Sequence, residues 1–480
     1  MRKAFIAVGL TAILCLMLSG VALGGRPGPT GTVSGTVKDI STGAAVAGAT
    51  ISNGTVSATT DANGNYTMNV ATGSNTLSAS AGSYITTYQV CTVTSGITTT
   101  VNWSLTKAYG NQAIPAAGMD YTILAWNDLG MHCDQDDYSY FMVLPPYNTL
   151  HVQIQDRNGR NNPIMSGVTV SYAFPKKTNS ALHTNWWTYQ SQYGFNQPVN
   201  VGISGTPLAG DMVPDANNLS WVAEGIPITP YDDDGTWDPY GTATITVKDS
   251  AGNILQTADV VAPVSTEMTC SNCHGTSNPQ LDILQKHDEH NGTTLATDQA
   301  AGKVHACAEC HADNALGAPG KPGVENLSLA MHQFHAGKAA DTTDGCYNCH
   351  PGPKTQCLRG IMERAGKGCV DCHGSMAQVA SSIVNGRNPW LEEPRCADCH
   401  DAKHAENDNT LYRNSVLQNG PNNTMNGKLY CEACHNSTHA ELTTAISADA
   451  SITQKFQGDN YWIWNCTVCH TNKRQQPMHK

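Results

Sequence analysis

The chain has 480 residues, with 39 acidic side chains against 27 basic ones and a formal net charge of −12. That balance excludes a nucleic-acid-binding role, which needs a basic face for phosphate. Only 14% of residues are charged, Gly, Thr, Asn and Ser are abundant, and the length allows about three domains.

Met1-Arg2-Lys3 forms a short positive n-region, Ala4 to Leu18 an apolar h-region, and Ser19 to Gly25 a run of small residues. Ala22 and Gly24 are spaced for cleavage after Gly24, which predicts a signal peptide over 1–24 and an exported protein, periplasmic or on the outer surface. An uncleaved anchor is the alternative. Cys15 does not read as a lipoprotein site, because bulky Leu14 precedes it. No later stretch is apolar enough to span a bilayer, so no transmembrane segment is expected after cleavage.

Residues 30–107 read as short strands between turns. Val33–Val37 alternates, Ser41-Thr42-Gly43 turns, and Val46–Ile51 resumes; Asp61-Ala62-Asn63-Gly64 turns again before Tyr66–Val70. Strands at a spacing near ten residues, with no helical period, predict a small β-sandwich. Gly35-Thr36-Val37, Gly48-Ala49-Thr50-Ile51, Thr59-Thr60-Asp61, Gly64-Asn65-Tyr66 and Thr98-Thr99-Thr100 resemble the carboxypeptidase regulatory-like domain. The resemblance implies a fold and a spacer or adhesive role, and no catalysis.

Residues 113–265 are also strand-rich, and more aromatic. Tyr121–Trp126, Val168–Tyr172 and Ala243–Val247 are the clearest strands, the last running through a turn at Lys248–Asn253 into Ile254-Leu255. An immunoglobulin-like sandwich is expected. Trp186, Trp187, Trp221 and Trp237 read as packing residues rather than a sugar-binding platform. Two acidic runs, Asp134-Gln135-Asp136-Asp137 and Asp232-Asp233-Asp234-Gly235 with Asp238, leave two readings open, part of a calcium loop or a solvated turn; no Glu closes the second.

Residues 266–480 write Cys-x-x-Cys-His seven times: Cys270, Cys273, His274 (motif 1); Cys307, Cys310, His311 (motif 2); Cys346, Cys349, His350 (motif 3); Cys369, Cys372, His373 (motif 4); Cys396, Cys399, His400 (motif 5); Cys431, Cys434, His435 (motif 6); Cys466, Cys469, His470 (motif 7). In this pattern two thiols add to the vinyl groups of one porphyrin, and the His becomes the proximal ligand of its iron. Zinc sites use paired cysteines but do not ask for His directly after the second one. With 18 His in 480 residues, seven such placements by chance are on the order of one in ten billion. A thioredoxin-type pair needs a βαβ context that this region lacks. The expectation is seven covalent c-type haems. At roughly 30 residues per haem the region is too short for a side-chain core between them, so a haem-packed domain with short helices and little secondary structure is expected. The full architecture is then multidomain, two β-sandwiches followed by the haem region. No motif lies before residue 266, which predicts that the haem region stands on its own.

Eight further histidines lie in this region as distal-ligand candidates: His287, His290, His305, His332, His335, His404, His439 and His479. Eight for seven iron positions favours bis-histidine ligation throughout. His287 and His290 share a helix face, as do His332 and His335, so each pair can serve two neighbouring haems. His404 and His439 follow a motif His by four residues, so neither can reach the far side of its own haem and each must serve a neighbour. His132, His151 and His183 are the histidines that could reach across from the sandwich. The methionines of the region (Met268, Met331, Met362, Met376, Met425, Met478) read as packing. Outside the motifs and the leader, Cys91, Cys133 and Cys357 remain, and the sequence does not choose a pair among them.

The seven motifs, with Lys286–Gly292, Thr355–Gly360, Val370–Met376 and Asn127–Cys133 around them, resemble multihaem c-type cytochromes of metal-reducing bacteria. The resemblance implies extracellular electron transfer, with other cytochromes, redox proteins or metal oxides as partners, self-association as an option, and no substrate whose bonds are remade. The competing reading is a multihaem oxidoreductase reducing a small oxyanion at one open haem. A matrix protein in which haem is incidental is the third.

Overall fold

The computed structural model describes residues 29–39, 43–82, 84, 87–105, 119–159, 163–275, 277–400, 414–416 and 428–471. The expected signal peptide, His404 and His479 therefore lie outside the described residues. The chain divides into two compact units, Met1–Tyr109 and Gly110–Lys480.

In the first unit, Thr30–Asp39 pairs antiparallel with Asn65–Ala71 and parallel with Thr98–Thr100 and Trp103–Leu105. A second sheet runs Ser57–Thr59, Thr50–Ser52, Gly73–Ser80, Thr87–Val93. The apolar residues alternate along each strand, so one face of each sheet turns inward. Val33, Val37, Ile51, Leu77, Trp103 and Leu105 are fully or almost fully buried between them. Polar atoms inside are satisfied: Trp103 Nε1 donates to Tyr66 Oη at 3.0 Å, and Tyr66 Oη to the Val101 carbonyl at 2.7 Å. The turn at Asp61–Gly64 forms as expected. Asp61 accepts from the Asn63 and Asn65 amides, and Gly64 sits at φ 77° where a Cβ would meet the Val37 carbonyl at 2.5 Å.

In the second unit, two four-stranded antiparallel sheets form a sandwich. One runs Val213–Asp215, Ser220–Glu224, Thr149–Asp156, Tyr121–Asn127, the other Ala209–Asp211, Val168–Ala173, Thr242–Asp249, Ile254–Val261. Trp186 and Trp221 are buried and the Trp187 indole donates to the Val201 carbonyl, as packing residues should. Trp237 departs from that reading and is 46% exposed.

Beyond residue 265 the regular elements are short. The longest are helices Pro279–Asn291, Leu327–His335 and Met376–Val384. Asn278 caps the first by accepting from Leu281 N, Pro279 occupies its first turn, and Gly292 ends it at φ 65°.

The expected boundary between 265 and 266 marks a change of composition and does not separate two compact units. Tyr430, Ala433, Ile452, Phe456, Ile463 and Val468 belong to the same buried cluster as Ile123, Trp126 and Val260 of the sandwich. Backbone and side chains are tied as well. Asn127 N donates to Ser437 Oγ at 3.1 Å, Arg157 Nη2 to the Thr467 carbonyl at 2.6 Å, and Thr471 N to the Arg157 carbonyl at 3.0 Å. The segment holding motifs 6 and 7 thus uses a conventional apolar core after all.

Two expected outcomes follow. Residues 266–480 expressed alone should fail to fold as a soluble unit, because the partners of Phe456 and Val468 are gone; a soluble, cooperatively unfolding fragment would contradict the shared core. In the full chain, Phe456→Ala should cost about 3–5 kcal/mol in equilibrium unfolding.

Candidate functional site

Each motif folds as one helical turn. The His amide bonds to the carbonyl of the first Cys, at 2.9 Å in motif 1, 3.0 Å in motifs 2 and 3, 2.8 Å in motif 5 and 2.9 Å in motif 7; motifs 4 and 6 are the α-turns Cys369–His373 and Cys431–His435. Positions i, i+3 and i+4 of such a turn share one face, so both thiols and the imidazole project to the same side. All seven turns face one connected cavity of about 3630 Å³, which every motif lines with both its Cys and its His. Shared among seven motifs, this volume is about 520 Å³ each, inside the ~300–1,000 Å³ range of single-ligand pockets.

Three motif histidines stand opposite a second imidazole. Ring centroids are 6.3 Å apart for His287 and His311, 6.2 Å for His332 and His350, and 6.2 Å for His373 and His439. With a metal–nitrogen bond of ~2 Å on each side, two imidazoles sharing one metal ion have centroids ~6 Å apart.

Hydrogen bonds at Nδ1 fix the rings and leave Nε2 for a ligand role. His287 Nδ1 meets Thr293 Oγ1 at 2.9 Å and His311 Nδ1 the Glu325 carbonyl at 2.8 Å. His332 Nδ1 meets the Ser328 carbonyl at 2.7 Å and His335 Nδ1 the Met331 carbonyl at 2.8 Å. His274 Nδ1 lies 2.8 Å from Asp282 Oδ2. Burial, reinforced by neighbouring imidazoles, pushes His350 and His373 down to about 4, so both are neutral as ligands must be.

The other expected distal candidates divide. His290 and His335 line the cavity and pack edge-on against Phe334, each at 5.2 Å. His305 also lines it, but its Nε2 is held by Asp298 at 3.0 Å and its Nδ1 by Glu309 at 2.8 Å, which leaves neither nitrogen for a metal. None of the three sandwich histidines lines the cavity. His132 Nε2 is 2.6 Å from Asp128, His151 stacks on Trp126, and His183 packs on Tyr231.

His439 is held by groups that no sequence pattern announced. It sits at φ 68°, with Nδ1 3.0 Å from the Leu129 carbonyl; burial works to lower its pKa, but the Cys357 thiol, hydrogen-bonded to the ring, outweighs this and raises it to about 10. Its carbonyl accepts from Arg359 N and Gly360 N at 2.8 and 2.9 Å. Arg359 is buried and grips Asp449 through two bonds of 2.8 and 2.7 Å, while Nη1 reaches the Gly130 carbonyl at 2.7 Å. Gly130 has φ 72°, and a Cβ there would meet the Thr438 carbonyl at 2.1 Å. The Asn127–Cys133 and Thr355–Gly360 segments thus meet around one histidine.

The acidic runs are engaged within the protein. Burial pushes Asp134 up to about 7, and it accepts from Tyr138 and Gln135. Lys177 Nζ lies 3.2 Å from Asp232 and 3.9 Å from Asp238. Among the described residues no cluster of three or more His, Cys, Asp or Glu is arranged to hold a metal ion by itself, and no helix is long and apolar enough to cross a membrane. Cys133 and Cys357 lie within electrostatic range of each other, and burial pushes Cys133 up to about 12.

Residues 32–106 match the carboxypeptidase regulatory-like domain, in line with the resemblance carried by Gly35-Thr36-Val37, Gly48–Ile51 and Gly64-Asn65-Tyr66. No curated protein matches the chain. Among solved structures, a type II cohesin–X–dockerin complex from Acetivibrio cellulolyticus is 23% identical over 18% of this chain and 61% of that one, with a TM-score of 0.15. A DUF3823 family protein from Bacteroides ovatus is 12% identical over 50% of this chain and 100% of that one, TM-score 0.15. BcpA, the major pilin subunit of Bacillus cereus, is 10% identical over 49% and 69%, TM-score 0.15.

Replacing Asp449 with Ala strands the Arg359 guanidinium in the interior. Stability should fall by on the order of 3–5 kcal/mol, read by denaturant unfolding; a loss below ~1 kcal/mol would mean that the pair is not what anchors this corner.

Proposed function

We propose that the chain is an exported seven-haem c-type cytochrome that conducts electrons toward extracellular acceptors or partner redox proteins. The cavity carries this reading. All fourteen motif thiols and all seven motif imidazoles converge on it, and its volume per motif suits a bulky planar group. The residues fit haem in a second respect, since three imidazole pairs have the separation that one shared iron requires.

Within that reading each Cys pair holds its haem through two thioethers, and the seven motif histidines supply the proximal ligands. His287, His332 and His439 supply the distal ligands at motifs 2, 3 and 4. Bound haem iron supplies one-electron chemistry, cycling between ferric and ferrous states. The protein's part is to fix imidazoles such as His274, His287, His311 and His332 by their Nδ1 acceptors, keep His350 and His373 neutral by burial, and hold neighbouring motifs close together. Bis-histidine ligation favours low potentials over those of methionine-ligated sites. The β-units serve placement, the first as a spacer or adhesive module and the second as the wall against which motifs 6 and 7 are built. Cytochromes, metal oxides or further copies of the chain are the proposed partners.

Mass spectrometry of the exported protein should show the polypeptide plus seven additions of roughly 616 Da, and fewer additions or bound zinc would refute the reading. The oxidised protein should give low-spin EPR signals throughout. Strong cyanide binding at one iron would move the assignment to an oxyanion reductase. Substituting His287 with Ala should create one high-spin iron, whereas His305→Ala should leave the spectrum low-spin; the reverse pattern would overturn the ligand assignment.

A further inference from the structure

Contacts between the motifs rank them in space. Motif 1 meets motif 3: Thr269 Oγ1 donates to the Tyr347 carbonyl at 3.0 Å, and Asn272 Nδ2 to Asn348 Oδ1 at 2.6 Å. Motif 3 meets motif 4 where the Cys346 and Cys369 thiols are in hydrogen-bonding contact. There Gly368 is so close that a Cβ would stand 2.5 Å from Thr343 Oγ1. Motif 4 meets motif 5: His373 Nδ1 is 3.8 Å from Glu393, three residues before Cys396, and Cys372 lies in electrostatic range of Cys399. Motif 5 meets motif 6 at a second thiol contact, Cys396 with Cys431. Motif 6 meets motif 7, since Ile463 N donates to the Cys434 carbonyl at 2.9 Å and Cys469 lies in electrostatic range of Cys434.

Motif 2 joins motif 1. Helix Pro279–Asn291 holds His274 through Asp282 and, five residues or ~7.5 Å further along its axis, presents His287 to His311. Motif 2 is tied to motif 3 in the same way, because the Glu325 carbonyl holds His311 and helix Leu327–His335, which begins two residues later, presents His332 to His350. Two other contacts leave the end at motif 7 unchanged. His439 pairs with His373 and so draws motif 6 toward motif 4. Asn314 Nδ2 donates to the Pro389 carbonyl at 2.9 Å, joining two loops that lie outside the motifs.

We infer, on the haem reading proposed above, that motifs 1, 2 and 3 form one mutually contacting group, that motifs 4, 5, 6 and 7 follow it in that order, and that electrons cross between the first three and the last four at the Cys346–Cys369 contact. Each passage oxidises one group by one electron and reduces its neighbour by one, with no bond made or broken. Motif 7 is then one end of the series and the pair of motifs 1 and 2 the other, where electrons enter and leave.

Anomalous scattering at the iron edge from the haem-loaded full-length protein tests the order directly. The expected result is seven irons in which 1, 2 and 3 form one group and 4, 5, 6 and 7 follow in that order, with irons 3 and 4 adjacent. A first-group iron other than 3 lying closest to the last four would overturn it. Fewer than seven thioether-bound haems by mass would instead count against the haem reading itself. A functional test uses Cys369→Ala/Cys372→Ala, which removes group 4 and leaves three groups on either side. On an electrode at fast scan rates, charge per molecule should fall from seven electrons to three whichever end faces the surface. Cys466→Ala/Cys469→Ala, which removes an end, should retain six; six electrons from the motif 4 variant would sink the junction. Should that variant not fold, the iron positions still decide the order.

Discussion

One helical turn can offer only one face, and this constraint governs the whole second unit. Cys-x-x-Cys-His spans a single turn, so its two thiols and imidazole have to project together. Seven such turns occur between residues 270 and 470, and all face the same interior. An interior lined by so many ligating groups cannot close on itself with ordinary side-chain packing, and the short helices around it bear this out. Helices Pro279–Asn291 and Leu327–His335 bury little apolar surface of their own, with Leu284 as the one buried side chain of the first and none in the second. Their role is to carry histidines at chosen heights along the cavity wall.

The sandwich supplies the rigidity that such a shell lacks. Sheets are stiff because both faces and both neighbours of a strand are specified, and the strand Tyr121–Asn127 is buried along almost its whole length. From its end the chain turns through Asp128–Gly130, and that turn is where His439 is held. Asn127 itself is buried and bonded to Asn148 and to the Thr149 carbonyl, so the turn has little freedom. A ligand placed by a loop alone would wander, whereas one anchored to the end of a buried strand inherits that strand's position.

The sequence made some of this legible and hid the rest, for identifiable reasons. The motifs were legible because their chemistry is local, five residues that must be adjacent. His287 and His332 were legible because helical spacing puts them on a face. His439 was expected to serve a neighbouring motif, since four residues after a motif His is the wrong side of its own group, and its ring stands 6.2 Å from that of His373. His305 was misleading for the same reason that the others were informative. Its position before motif 2 looks like a ligand's, and only the fold brings Asp298 and Glu309 to its two nitrogens. The shared core was hidden because Tyr430, Phe456 and Ile463 sit in the motif-bearing region, read for its Cys and His, where their alternation with polar residues shows no clear period. Arg359, Gly130 and Asp449 come from three distant segments, and nothing in a one-dimensional pattern links them.

The partners at Nδ1 are not equivalent, and the difference bears on function. His274 is held by a carboxylate, His287 by a hydroxyl, and His311, His332 and His335 by backbone carbonyls. A carboxylate partner makes an imidazole a more basic, more strongly donating ligand than a neutral one does. Stronger donation stabilises the ferric state and lowers the potential. On the proposed haem reading, motif 1 would therefore be biased low relative to motifs 2 and 3, its companions in the first group. An electron standing at motif 1 would be driven off it in either direction, so traffic through this end is set by the height of that step and not by a trap. Within that reading the side chain that sets the step is Asp282, on the helix that also carries His287, the proposed distal ligand of motif 2.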